Sequence, residues 1–287
     1  MSSVAQASKV QESRILAARS RLNVVRMLEA TPAGHVGGAL SCIDAVSVLY
    51  GHVMNVAPDR IDDPDRDRFL LSAGHKALAQ YAVLAELGYF DKSILDQYGK
   101  VNTPLGGHPD MHKLPGIEGN TGALGHGLGL GVGMALGLRG RSDAQVYVVM
   151  GDGELAEGSN WEGAAMAAHY TIDNLTALVD VNGMQISGTT AEVLNMEKIA
   201  DKFRAFGWNV TEVDGQDHEA LHEVLAVPAE PGVPTAIILR TVKGSGISDI
   251  AGTVGSHYWK PTADQVKRAR QELEDEIIAL TDDIERN

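Results

Sequence analysis

The sequence predicts an α/β fold: a parallel sheet covered by helices on both faces. Short segments rich in apolar and β-branched residues occur at 146–150 (VYVVM), 175–179 (LTALV), 208–213 (WNVTEV) and 235–239 (TAIIL). Helix-length segments at 161–170, 196–206 and 218–227 separate them. Near-continuous apolar strands, unlike alternating ones, are the mark of a sheet buried on both faces, and strands that alternate with helices are joined by parallel crossovers. Such sheets bind ligands at the carboxyl ends of their strands.

Upstream, Ile15, Leu22, Val25 and Leu28 recur at helical spacing and stop at Thr31-Pro32-Ala33-Gly34. This predicts an amphipathic helix followed by a loop that presents His35. A second helix is expected over 42–52 and an exposed connection over 59–67. A short strand, Arg68–Leu71, should lead through Ser72-Ala73-Gly74-His75 into a helix ending near Leu87. The stretch 263–284 reads as a charged amphipathic helix. With no repeat, low-complexity segment or long linker, the 287 residues, 44% of them apolar, read as a single domain, 1–287, with flexible ends at 1–10 and 282–287.

A formal net charge of −14 opposes sequence-independent attraction to nucleic acid or an anionic membrane. A phosphate-bearing ligand must therefore find a metal, helix N-termini or a few histidines. The start of the chain has no apolar h-region, and the longest apolar stretch, GLGLGVGMALGL, is short and broken by glycine, so no signal peptide or membrane span is expected and the protein is read as cytoplasmic. The single cysteine, Cys42, excludes an internal disulfide framework and reads as a small buried apolar residue.

Gly151-Asp152-Gly153-Glu154-Leu155-Ala156 follows the strand VYVVM and opens a helix, which superficially matches the dinucleotide fingerprint of nicotinamide enzymes. An Asp between the glycines would set a carboxylate against a bound pyrophosphate. A metal ion between them removes the conflict, with Asp152 as a hard oxygen ligand of Mg²⁺ and the glycines letting the backbone approach a diphosphate. Asn182 ends the next strand, thirty positions later, where an adjacent parallel strand would bring its amide oxygen beside Asp152.

At these residues the chain resembles thiamine diphosphate enzymes, and the text GDGELAEGSNWEGAAMAAHYTIDNLTALVDVNGMQISG is similar to transketolases in particular. The resemblance extends over AGHVGGALS (33–41), DRFLLSAGHKALAQYAVLAELGYF (67–90), GGHPDMHKLPGIEGNTGALGHGLGLGVGMALG (106–137), DKFRAFGWNV (201–210) and TVKGSGIS (241–248). It implies the thiamine diphosphate-binding fold, with Asp152, Asn182 and the Met184 carbonyl as ligands of Mg²⁺, for which Ca²⁺ or Mn²⁺ can substitute. It further implies cofactor contacts at His75, Gly122, Leu124, Gly151, Gly153, Glu154, Asn182 and His257, the Gly153 amide facing the diphosphate. His35, His75, His108 and His257 are implied as catalytic, with His35 and His108 contacting sugar hydroxyls. Glu162 is implied at an interface between paired cofactor sites. The chain departs from the family at Val36 (usually Pro), His126 (usually Gln) and Tyr258 (usually Gly). Gly129, Gly133 and Gly137 recur at i, i+4 and are read as helix-packing residues.

The resemblance also implies what these residues lack: the family's pyrimidine-binding domain, with its glutamate toward the cofactor and its arginines for substrate phosphate. A C-terminal transketolase subunit carrying that domain is the expected partner, in a two-plus-two heterotetramer. The activity implied is transfer of a two-carbon ketol unit from a ketose phosphate to an aldose phosphate. The alternatives are the alpha subunit of a 2-oxo-acid dehydrogenase or another thiamine diphosphate enzyme, and zinc proteolysis, because 218–222 spells H-E-x-x-H.

Overall fold

The computed structural model describes residues 3–286 and contains one five-stranded, fully parallel sheet. In chain order come α1 (Ser3–Ala30), α2 (Gly37–Val48), β1 (Arg68–Leu71), α3 (Ala77–Glu86), α4 (Gly127–Leu138), β2 (Val146–Gly151), α5 (Gly158–His169) and β3 (Leu175–Val181). There follow α6 (Thr190–Val193), α7 (Ile199–Ala205), β4 (Asn209–Asp214), α8 (His218–Leu225), β5 (Thr235–Arg240) and α9 (Ala263–Arg286). The spatial strand order is β1-β2-β3-β5-β4.

The pleat explains the apolar strands. In β2, Tyr147 and Val149 enter one core with α1, α2, α3 and α9, while Val146, Val148 and Met150 enter the other with α4, α5 and α7. β3 divides in the same way: Leu178 faces the first core, and Leu175, Ala177 and Val179 face the second. A strand buried on both faces has no polar side, so its sequence loses the period of two. The segment at 208–213 differs: β4 is an edge strand and is largely exposed, with Thr211, Glu212 and Asp214 in solvent.

Helix bounds shift modestly from expectation. The second helix starts at Gly37 rather than 42, and its last turn widens into a π-helical segment, Leu49–Val53. Both stretches read as flexible ends fall on long helices where they are described; residues 1, 2 and 287 lie outside the described residues.

The glycine reading of α4 needs correction. Gly129, Gly133 and Gly137 face open space, and a Cβ at any of them would meet nothing. The packing glycines lie two residues away. A Cβ at Gly127 would collide with Ser72 Cβ, and one at Gly131 would sit 2.5 Å from Val148 Cγ2. The i, i+4 spacing identified a helical face but not which face meets the sheet. Gly131→Ala is accordingly expected to destabilise the fold by about 1–3 kcal/mol through overpacking. Gly133→Ala should be neutral or stabilising by about 0.5–1 kcal/mol through lost chain entropy in the unfolded state. Urea unfolding midpoints of the two variants test the assignment of faces.

Candidate active site

Four parallel strands end on one side of the sheet, and their exits build a single cavity of about 260 Å³. β1 exits through Ser72 to His75, β2 through Gly151 and Asp152, β3 through Asn182, and β5 through Thr241 to Lys243. The cavity is lined by His35, His75, His108 and His257, by Gly122 and Leu124, and by Gly151, Asp152, Gly153, Glu154, Asn182 and Met184. The metal, cofactor and catalytic residues expected from the sequence therefore all reach one place.

His35 stands at the centre of the histidine end. Its ring centroid lies 5.9 Å from His75, 6.4 Å from His108 and 5.4 Å from His257. The half-exposed ring of Tyr258 meets it edge-on at 5.0 Å. Burial, followed by the nearby charge of Lys76, pushes His75 down to about 2. Burial and then Lys243 push His257 down to about 4, and burial and His108 lower His35. These three imidazoles are thus neutral at pH 7, each able to donate through one nitrogen and accept through the other. Val36 is fully buried. His126 is exposed at the start of α4, its Nδ1 3.0 Å from the Leu124 carbonyl.

At the other end, Asp152 caps the 3₁₀ turn Gly153–Ala156. Its carboxylate accepts from the Gly153 amide at 2.8 Å and the Gly183 amide at 2.7 Å. Burial, then the neighbouring Asp180, raises its pKa. Asn182 Oδ1 accepts from the Met184 amide at 3.1 Å, and the Met184 carbonyl accepts from Lys243 Nζ at 3.0 Å. Among the described residues no three His, Cys, Asp or Glu side chains could enclose a metal. One carboxylate, one amide oxygen and one carbonyl form a hard, incomplete donor set, of the kind Mg²⁺ takes alongside phosphate oxygens.

The surrounding wall fits a diphosphate. Gln185 Nε2 is buried without a hydrogen-bond partner, beside Gly153, where a Cβ would lie 3.0 Å from Gln185 Cγ. A buried donor left unpaired costs about 1–3 kcal/mol, which a bound anion would recover. Lys76 and Lys243, each 2% exposed, add two ammonium groups to the same wall. Burial, then Lys76, lowers Lys243 to about 8. Both lysines sit in motifs noted in the sequence, yet reading the motifs gave them no role; an intruding Lys among apolar and glycine neighbours was the available signal. Asp180 and Gln185 were missed for the same reason.

Two cofactor contacts read from the resemblance have other partners here. The Gly153 amide is engaged by Asp152. The Glu154 carboxylate accepts from Ser72 Oγ, from the Gly125 amide at 2.9 Å and from the Gly151 amide at 3.1 Å, so it ties three segments of the cavity wall together. Gly122 has φ +148°, and its Cβ would lie 3.2 Å from the His108 ring, so only glycine leaves that wall open. Glu157 and Glu162 do not line the cavity.

The H-E-x-x-H pair is occupied elsewhere. Ser13 Oγ lies 2.8 Å from His218 Nδ1 and 3.2 Å from His222 Nε2, while His218 Nε2 lies 3.0 Å from Asp44 Oδ1. Asp217 caps α8 through the Glu219 and Ala220 amides, and Leu221 is buried. Cys42 is fully buried, and burial pushes its thiol up to about 12.

This arrangement, oxygen donors and a histidine cluster at the carboxyl ends of a parallel sheet, is that of a ligand-binding α/β protein. The family model for the transketolase thiamine diphosphate-binding domain matches residues 11–279, and the chain belongs to the transketolase family. It is 39% identical over 274 residues to one of the subunits named for the apulose-4-phosphate transketolase of Phocaeicola vulgatus, covering 95% of this chain and 97% of that one. It is 40% identical over 245 residues to the 6-deoxy-6-sulfo-D-fructose transketolase subunit SqwG of a Clostridium species, covering 85% and 89%. The transketolase of Leishmania mexicana superposes with a TM-score of 0.83 at 28% identity, over 94% of this chain and 45% of that one. The chain thus spans under half the length of that solved structure. Among the described residues no helix is long and apolar enough to cross a membrane.

The partly buried, neutral histidines set a pH dependence. Their pKa values are depressed on folding, so below the unfolded value of about 6.5 the unfolded chain takes up protons that the folded chain does not. Stability should therefore fall as the pH drops from 7 toward 5. The His75→Asn variant, measured by denaturant midpoint across that range, should show a shallower loss than the parent.

Proposed function

We propose that this chain is the thiamine diphosphate- and Mg²⁺-binding subunit of a split transketolase. It would transfer a two-carbon ketol unit from an anionic ketose to an aldose, in the cytoplasm, with a second subunit that supplies the pyrimidine-binding domain. The observation that carries this reading is the convergence of the Asp152, Asn182 and Met184 oxygens with four histidines on one cavity. The partner rests on near end-to-end similarity to proteins named as transketolase subunits. The assembly proposed is two-plus-two, with each cofactor site between unlike chains. The named substrates of the relatives, a sugar phosphate and a sulfo sugar, favour a donor with an anionic end.

Asp152, Asn182 and the Met184 carbonyl would hold Mg²⁺, and Lys76, Lys243 and Gln185 would offset or bind the diphosphate. When bound, thiamine diphosphate supplies an electron sink for cleaving a bond next to a carbonyl. Glu154 keeps the Gly125 and Gly151 amides in register in the cavity wall. His35 and His108, with ring centroids 6.4 Å apart, would hydrogen-bond sugar hydroxyl oxygens. His75 and His257, neutral and partly desolvated, hold or pass a proton at their ring nitrogens where the carbonyl oxygen of the donor gains charge.

The test is co-expression with the adjacent reading frame and assay of ketol transfer from xylulose 5-phosphate to ribose 5-phosphate. Activity should require both chains, thiamine diphosphate and Mg²⁺, and Asp152→Ala should lower it by at least the roughly 10–100-fold that losing an outer-shell partner of a metal ligand costs. Cofactor binding without transfer from these sugars would displace the substrate and leave the cofactor. Absence of cofactor binding would overturn the reading.

A further inference from the structure

Asp180, at the end of β3, has no solvent exposure and is surrounded by donors. Lys76 Nζ donates to its Oδ2 at 2.5 Å and Ser41 Oγ donates to the same oxygen at 2.5 Å, while Thr241 Oγ1 donates to Oδ1. Lys76 is itself almost fully buried and offers only protons, so the carboxylate has a fixed counter-charge. Ser41 has a single hydroxyl proton, directed at Asp180 or at the Gly38 carbonyl 3.0 Å away, and therefore presents only lone pairs to any third neighbour.

That neighbour is Asn182, whose amide lies 3.2 Å from Ser41 Oγ and 3.4 Å from Asp180 Oδ2. Both contacts are acceptors. The NH₂ must face them, and Oδ1 must face the opposite way, where it meets the Met184 amide beside Asp152. A flipped amide would set oxygen against two acceptors and NH₂ against an N–H, losing all three contacts.

We infer that Ser41 and Asp180, anchored by Lys76, are positioning residues that lock the Asn182 amide with its oxygen toward the metal. The lock rests on the reading of Asn182 as a metal ligand. It acts through orientation, so it is coupled to a group with two distinguishable ends. A ligand with two equivalent oxygens does not need it.

The experiment is a double-mutant cycle on the full chain, purified with its partner in the presence of thiamine diphosphate, reading Mn²⁺ affinity by electron paramagnetic resonance and folding by thermal midpoint. Ser41→Ala is expected to weaken Mn²⁺ binding roughly 10–100-fold, the usual effect of removing a group that orients a ligand. In the Asn182→Asp background, where both terminal atoms are oxygen, the same change should have little effect. Should Asn182→Asp fail to fold, Asn182→Ala serves, since it leaves no amide to orient. Equal losses in both backgrounds, or no loss in the first, overturn the orientation role. Absence of Mn²⁺ binding by the unaltered complex, or Asn182→Ala binding as well as the parent, removes Asn182 as a ligand and takes the proposal with it.

Discussion

A carboxylate without solvent and an ammonium without solvent meet at the end of β3, and the arrangement of the site follows from keeping them together. Removing one partner of such a pair typically costs about 3–5 kcal/mol, because the other charge is left buried and unpaired. Asp180 is therefore committed to Lys76 from the β1 exit, Ser41 from α2 and Thr241 from the β5 exit. Those are the segments that carry His75, His35 and Lys243 into the cavity. One charge pair thus fixes three walls relative to the strand whose end bears Asn182. Glu154 does the same on the other side, joining Ser72, Gly125 and Gly151.

Much of the fold was legible because burial on both faces erases the polar alternation of a strand. The stretches around Val148, Leu178 and Ile237 could be little else than central parallel strands. That Asp152, Asn182 and the four histidines would share a cavity was legible for a different reason. Asp152 between two glycines poses an electrostatic problem that a cation solves, and the remaining residues followed from resemblance to a family rather than from spacing. What stayed hidden was the buried charge. Lys76 and Asp180 read in sequence as residues that belong at a surface, and only the three-dimensional pairing reveals why they are inside. The glycines of α4 were misread because helical periodicity gives the angle between residues but not the direction of the neighbour: Gly131 meets Val148, whereas Gly133 meets nothing.

The H-E-x-x-H pair shows how a motif can be real geometry with another purpose. His218 and His222 do point the same way from α8, as i, i+4 residues must, but they converge on Ser13 of α1. Asp44, His218 and Ser13 even line up as an acid, an imidazole and a hydroxyl. The Ser13 hydroxyl has no solvent exposure, however, so no substrate can meet it, and the chain of contacts serves to fasten α1 and α8 to α2.

That fastening continues through Asp44 to Arg21, whose guanidinium donates to Asp44 and, at 3.3 Å, to the Ser245 carbonyl. Arg21 packs directly on Gly246, where a Cβ would fall 2.5 Å from Arg21 Cδ. The first helix is thus a splint for the loop that carries Lys243, although none of its residues lines the cavity. A shortened version of the chain beginning after Arg21 would keep every residue that lines the cavity and still lose the support that holds one of them in place. The minimal unit of this site is set by its scaffold, and it starts well ahead of His35.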